Sequence, residues 1–237
     1  MAKLSVVFGG SSGIGEEVAR QLAAAGHRVA IVGRDAGKLA AARARIAGDV
    51  VVKAADGRDR VSVDALFAAL GRFDHLVICL SGGKGGGPFR KLALDDVRSG
   101  MEAKLFAQLN VAQAALATLA ETGSITFVSA ASARAAVPGT AGLAAINGGL
   151  EAAARTLALE LAPIRVNTVS PGIIDTPWWD AVPPEMKQQV FAHAAQTLPA
   201  RRVGTPADVA AAAVMVATNG FITGSVVEVD GGHHLRT

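Results

Sequence analysis

Three glycines mark the first place where this chain could do chemistry. The run "LSVVF" at 4–8 passes into "GGSSGIG" and then "EEVARQLAAAG", so Gly9, Gly13 and Gly15 are spaced G-x-x-x-G-x-G. Glycines at a strand-to-helix junction let the backbone turn sharply and bring N–H groups close to an anion at the helix N-terminus, above all a pyrophosphate. Gly9, Ser11, Ser12, Gly13, Ile14 and Gly15 are the candidate cradle. A lone glycine pattern is weak evidence; one that opens a βαβ unit is strong.

The second strand ends "AIVGRDAGK". A carboxylate there would receive the ribose hydroxyls of NAD, whereas Arg34 suits the 2′-phosphate of NADP. An ordinary surface charge is the competing reading. Asp35 is expected to cap the helix beginning near Ala36. Asp56, in "KAADGRDR", can reach an adenine edge or simply make a turn. Ser81 and Ser129 fall at strand carboxyl ends, where a hydroxyl can bind a substrate oxygen or satisfy the local backbone. The small-residue helix opening in "VPGTAGLAAINGGLEAAARTL", at 137–157, offers Asn147 as its polar head.

The elements that must position these residues alternate along the whole chain. Apolar, β-branched runs at 4–8, 28–32, 50–53, 75–80, 124–129, 164–169 and 225–229 read as strands. Helix-like segments lie between them at about 14–25, 36–47, 61–70, 95–121, 139–161 and 206–217. Fully apolar strands separated by helices predict a parallel sheet covered on both faces, with ligands beyond the strand carboxyl ends. No linker or repeat divides the sequence, so residues 1–237 are expected to form one domain.

The bulk properties narrow the function. The chain is 51% hydrophobic and 18% charged, which argues against disorder, and no apolar run is long enough to span a membrane. A net charge of +3 is scattered, without a nucleic-acid motif, and suits an anionic small ligand equally well. One cysteine, Cys79, excludes an internal disulfide. With "MAKLSVVFGG" leading straight into a strand, this predicts a cytoplasmic protein. His233 and His234 have no partners at metal-ligand spacing, so no metal is expected.

Together with "FDHLVICLSGG" at 73–83, "LALELAPIRVNTVSPGIIDTP" at 157–177 and "FITGSVVEVDGG" at 221–232, the glycine loop resembles the classical short-chain dehydrogenase/reductase family over essentially the whole chain. The resemblance implies a doubly wound, Rossmann-like α/β sheet of about seven strands, a nicotinamide dinucleotide, a small-molecule substrate, and a homodimer or homotetramer. It sets Ser81 and Gly82 in the segment after the fourth strand, and Asn167, Pro171, Gly172, Ile174 and Thr176 beside the nicotinamide. Trp178 and Trp179 would fall in the substrate lid, as flat apolar contacts or as subunit packing.

The departures from the family are pronounced. Its catalytic set is Asn, Ser, Tyr and Lys, with Tyr and Lys spaced Y-x-x-x-K. An ungapped alignment sets Leu143 at the Tyr, Asn147 at the Lys, Ala130 at the Ser and Lys104 at the helical Asn. There is no tyrosine anywhere in the sequence. The usual proton donor is absent.

Asn147 could bind the ribose, and Gly148 and Gly149 beside it suggest close packing, as in the family's dimer. Lys104 could donate a proton or stabilise an oxyanion from a partly dry pocket, or be a solvated helix lysine. The loop "GGKGGGP" at 82–88 reads as flexible, with Lys84 on it either reaching a ligand or mobile and solvated, and His193 in the lid as a proton donor or an ordinary surface histidine. Two functions follow. One is an atypical oxidoreductase, with Lys104, Ser129 and Asn147 catalytic and NADP(H) preferred over NAD(H), acting on a carbonyl, enone or quinone-like substrate. The other is an inactive NADP(H)-binding protein serving as a sensor or assembly partner.

Overall fold

The computed structural model describes residues 2–235. The strands are β1 (Leu4–Phe8), β2 (Arg28–Gly33), β3 (Val50–Ala54), β4 (Phe73–Ile78), β5 (Leu119–Val128), β6 (Arg165–Pro171) and β7 (Val226–Val229). They form one parallel seven-stranded sheet in the order β3-β2-β1-β4-β5-β6-β7. The order reverses direction between β1 and β4, which is where an open α/β sheet leaves a crevice at its carboxyl edge.

Side-chain alternation along the strands builds a core on each face. On one face Val6, Phe8, Leu76 and Phe127 pack against α3 (Arg60–Leu70), α5 (Ala107–Ala115) and α6 (Ala141–Glu160). On the other, Val7, Ile31, Val77 and Val169 meet α1 (Gly13–Ala24), α2 (Ala36–Arg45) and α8 (Pro206–Thr218). The doubly wound prediction is met.

Two stretches differ from the sequence reading. The helix anticipated over 95–121 is α4 (Leu94–Gly100), a π-helical turn (Met101–Phe106) and α5, and it gives way to β5 at Leu119. Phe73 pairs with Leu119 in the sheet, and that tertiary pairing overrides the helix propensity of the Ala-rich run. The second is α7 (Pro184–Thr197), which the sequence reading left without an element. Ala194 is its one buried residue, so its apolar periodicity is faint.

Candidate active site

Four ångström-scale contacts shape the glycine loop. Gly9 has φ +77°, and a Cβ there would lie 2.8 Å from the Cys79 carbonyl oxygen. A Cβ on Gly15 would come within 2.2 Å of the Gly9 carbonyl oxygen. The Gly9 and Gly10 N–H groups both donate to Val32, at 2.8 and 3.2 Å, tying the turn to the end of β2. Helices α2 and α3 are closed by the side chains of Asp35 and Asp59, but Ser12 at the N-cap of α1 makes no such bond. The opening N–H groups of α1 therefore face the carboxyl edge without a side-chain cap, a geometry suited to a phosphate. Glu16, an acid in this first turn, is paired with Arg45 at 2.7 Å.

Arg34 is exposed at the end of β2, and the neighbouring Asp35 is turned away to accept the Lys38 N–H at 3.0 Å. Ser11 lies beside Gly33 at the same edge. Asp56 makes the turn: its Oδ1 accepts the Arg58 N–H at 3.0 Å, and its Oδ2 accepts the Arg58 guanidinium at 2.6 Å. The Arg58 hydrogen bond, helped by the charge of Arg34, holds the Asp56 carboxyl below its ordinary range. Any adenine contact by Asp56 must coexist with that pair.

Lys104 sits in the π-helical turn between α4 and α5, a distortion that often marks functional positions. It is 9% exposed, and its Nζ donates to the Ser129 carbonyl oxygen at 2.8 Å, where β5 has just ended. Desolvation pushes its pKa down to about 8, opposed by the thiol of Cys79 and the carboxylate of Glu151. Burial pushes the Cys79 thiol up to about 12. The hydroxyl of Ser129 donates to Glu151 Oε1 at 2.8 Å, so it serves a carboxylate rather than an open pocket. Asn147 spends its amide donors on Ser132 Oγ at 3.0 Å and the Leu143 carbonyl at 2.9 Å. Its Oδ1 is buried without a partner among the described residues. Only the acceptor is left for a ribose hydroxyl.

The 82–88 loop is docked, contrary to its reading as a flexible segment. A Cβ on Gly142 would lie 2.5 Å from the Gly85 carbonyl oxygen, and one on Gly100 would lie 2.5 Å from that of Lys84. The Gly87 N–H donates to Gly139 at 2.8 Å. Gly85 and Gly86 lie against Leu143. Lys84 pairs with Asp96 at 2.9 Å. Ser81 is exposed, and Gly82 lies over Ala103. Gly149 packs on Leu105, whereas a Cβ on Gly148 would meet nothing among the described residues.

After β6 the chain turns back over the glycine loop. Pro171 is buried, and Gly172 is required by the backbone of Asp230, 2.6 Å from where its Cβ would be. Asn167 is spent on holding the Ile222 carbonyl and the Ser225 N–H. Ile174 puts its side chain in the core and bridges Gly204. Thr176 packs on Gly13. Trp179 donates its Nε1 proton to the Ile174 carbonyl at 2.9 Å and stands edge-on to Phe191 of α7. Trp178 is 46% exposed, and His193 is exposed on α7.

Sequence reasoning missed Glu151, Arg134 and Glu228. Arg134 donates to Glu151 Oε2 at 3.1 Å and also pairs with Glu228 on β7. The available signal was position: Glu151 follows Leu143 and Asn147 at intervals of four, on the same helix face. Gln108, also missed, donates to Leu80 at 2.9 Å and Val128 at 3.1 Å and braces the floor of the site.

The uncapped α1 terminus, the glycine cradle and the unpartnered Asn147 Oδ1 together fit a dinucleotide: a place for phosphate and an acceptor for a ribose hydroxyl. Residues 9–234 match the family model described as enoyl-(acyl carrier protein) reductase. The chain is 33% identical over 243 residues to the 3-oxoacyl-[acyl-carrier-protein] reductase of Bos taurus, covering 99% of each. A small-chain dehydrogenase solved in complex with NADPH superposes with a TM-score of 0.85 at 30% identity, over 99% of this chain and 100% of that one. An actinorhodin polyketide ketoreductase variant with NADPH gives 0.88 at 25% identity, over 98% and 97%. In sequence and in fold, the chain belongs to the classical short-chain dehydrogenase/reductase family.

Proposed function

We propose that this protein is an NADP(H)-dependent oxidoreductase that works on a carbonyl, enone or quinone-like substrate with Lys104 in place of the family's tyrosine. The observation that carries the reading is the Lys104 ammonium, set at the carboxyl edge of β5 by its 2.8 Å bond to Ser129. An ammonium has three protons to donate, and Ser129 takes one of them. The other two can face a substrate oxygen on which negative charge develops, and the partly desolvated position strengthens that interaction. A pKa near 8 leaves Lys104 mostly protonated at neutral pH, yet acidic enough to give up its proton.

The first turn of α1 would hold the pyrophosphate, Arg34 and Ser11 the 2′-phosphate, and Asn147 Oδ1 a ribose hydroxyl. Gly82, Gly172 and Thr176 would border the nicotinamide. When bound, the nicotinamide supplies or accepts the hydride. Trp178 would face the substrate, while Trp179 holds the lid. Substrates whose reduced anion is delocalised ask least of the acid, so they suit this site best. The relatives named as ketoreductases and acyl-carrier reductases support a carbonyl substrate class.

A second reading, a dinucleotide-binding protein without turnover, is favoured by the docked glycine loop over Leu143. In either case the outer face where the π-helical turn meets α5, with Phe106 51% exposed beside a cleft of about 460 Å³, and the open position at Gly148 support assembly as a homodimer or homotetramer.

The deciding experiment follows NADPH oxidation by the purified protein against quinones, activated enones and simple ketones, with NADH in parallel. The expected result is turnover with the delocalised acceptors, faster with NADPH. Bound NADPH without turnover across the panel would favour the second reading.

A further inference from the structure

We propose that Glu151 is a positioning residue, the buried counter-ion that holds the Lys104 ammonium at the carboxyl edge of the sheet through Ser129. The inference rests on the role proposed for Lys104 and extends it to a residue outside the family's catalytic pattern.

A single residue joins the two side chains. Ser129 offers its carbonyl oxygen to Lys104 at 2.8 Å and its hydroxyl to Glu151 at 2.8 Å. Glu151 is 3% exposed, on the inner face of α6, where an ionised carboxylate is costly unless charge and hydrogen bonds surround it. It has both. Ser129 serves one oxygen and Arg134 the other, at 3.1 Å, so each is anchored. Arg134 in turn reaches Glu228 on β7. Two cations, Lys104 and Arg134, thus alternate with two anions, Glu151 and Glu228, and the group is neutral as a whole.

The groups facing Lys104 are few. Cys79 approaches from the end of β4 and Glu151 from α6, while Arg134 and Glu228 stand one step further out. With the Cys79 thiol pushed well above neutral, Glu151 is the nearby group able to carry negative charge. Desolvation pulls Lys104 toward its neutral form, and Glu151 opposes that pull. The arrangement resembles the loss it compensates. The lysine expected one turn earlier on α6 would have been a cation acting on a tyrosine; Glu151 is an anion acting on a lysine.

The test is a direct titration of Lys104 by NMR with ¹³C-labelled lysine, its signal assigned by its disappearance in Lys104→Arg. In Glu151→Gln the titration midpoint is expected to fall, with the acid dissociation constant rising about tenfold. Arg134→Gln, at a half-exposed side chain, should move the midpoint the opposite way, and it provides the measurement if Glu151→Gln does not fold. A midpoint unmoved in a folded Glu151→Gln, or in Arg134→Gln, would overturn the proposal and leave Glu151 as a strut between α6 and β7.

Activity gives a separate readout. Where the wild type turns over, the alkaline limb of its rate profile should move to lower pH in Glu151→Gln. A wild type without turnover, but with the lysine shift present, would sink the oxidoreductase reading while leaving the counter-ion in place.

Discussion

Gly142 at the start of α6 and Gly85 in the loop after β4 approach so closely that a Cβ on Gly142 would stand 2.5 Å from the Gly85 carbonyl oxygen. Two effects of Gly142→Ala then oppose each other. Alanine gains about 1 kcal/mol of helix propensity, and the overlap with backbone costs about 1–3 kcal/mol. Because the neighbour is a carbonyl rather than a flexible side chain, the clash should win. The variant should unfold at lower urea concentration, and its 82–88 loop should be cut faster by protease. A raised urea midpoint would show that the loop does not rest on α6 in solution.

Arg34 tests the choice of cofactor. It stands at the end of β2 with Asp35 diverted to the α2 cap, so no carboxylate takes the position that selects NAD. A charge-assisted contact to a 2′-phosphate is worth about 1.5–3 kcal/mol, or about 10- to 100-fold in affinity. Arg34→Ala should weaken NADPH by that factor and leave NADH nearly unchanged, as read by fluorescence titration of both. Equal losses for the two would remove the phosphate role.

Much of this was legible beforehand, for physical reasons. Strands buried on both faces, such as that carrying Val6, Val7 and Phe8, advertise themselves as unbroken apolar runs, and Gly9 and Gly15 advertise the cradle because no other residue fits there. What stayed hidden depended on distant partners. The end of α5 is set by the pairing of Leu119 with Phe73, and α7 by the contact of Phe191 with Trp179. Glu151 gave no signal in the sequence because its donors, Ser129 and Arg134, lie 22 and 17 residues away. The docking of Gly85 on Gly142 was invisible for the same reason, since a glycine run reads as slack until something is seen to press on it.

The two tryptophans should separate by function. Trp179 is committed to the protein, through its bond to Ile174 and its edge-on contact with Phe191. Trp178 stands edge-on to Trp179 and is the more exposed. Trp178→Ala should raise KM for apolar substrates about tenfold, the effect of losing about 1.4 kcal/mol of contact, with NADPH affinity unchanged. Trp179→Ala should instead lower the thermal midpoint, at a cost of about 1–3 kcal/mol. A pair of variants with the same kinetic and thermal profile would contradict this division.

Acid should weaken the fold from the end of the sheet opposite the candidate site. Ser5, His75, Ser124 and Arg165 occupy paired positions on β1, β4, β5 and β6, forming a buried polar row. His75 bonds Ser124 at 2.9 Å, and Ser124 and Arg165 both hold the Ala217 carbonyl at the end of α8. Burial, reinforced by Lys3 and His27, lowers the His75 pKa from 6.5 to about 4, and burial also lowers that of His27. Between those pH values the unfolded chain binds the His75 proton and the folded chain does not. Stability is therefore complete above about pH 6.5 and is lost as pH falls toward 4, by about 3 kcal/mol from His75 alone. His27 adds to the loss in the same direction. Urea midpoints measured from pH 7.5 to 4.5 should fall steeply in the wild type. In His75→Asn, which retains a polar group for Ser124 but cannot titrate, the slope should be markedly shallower. An equal slope in the two proteins would assign the acid sensitivity to other groups.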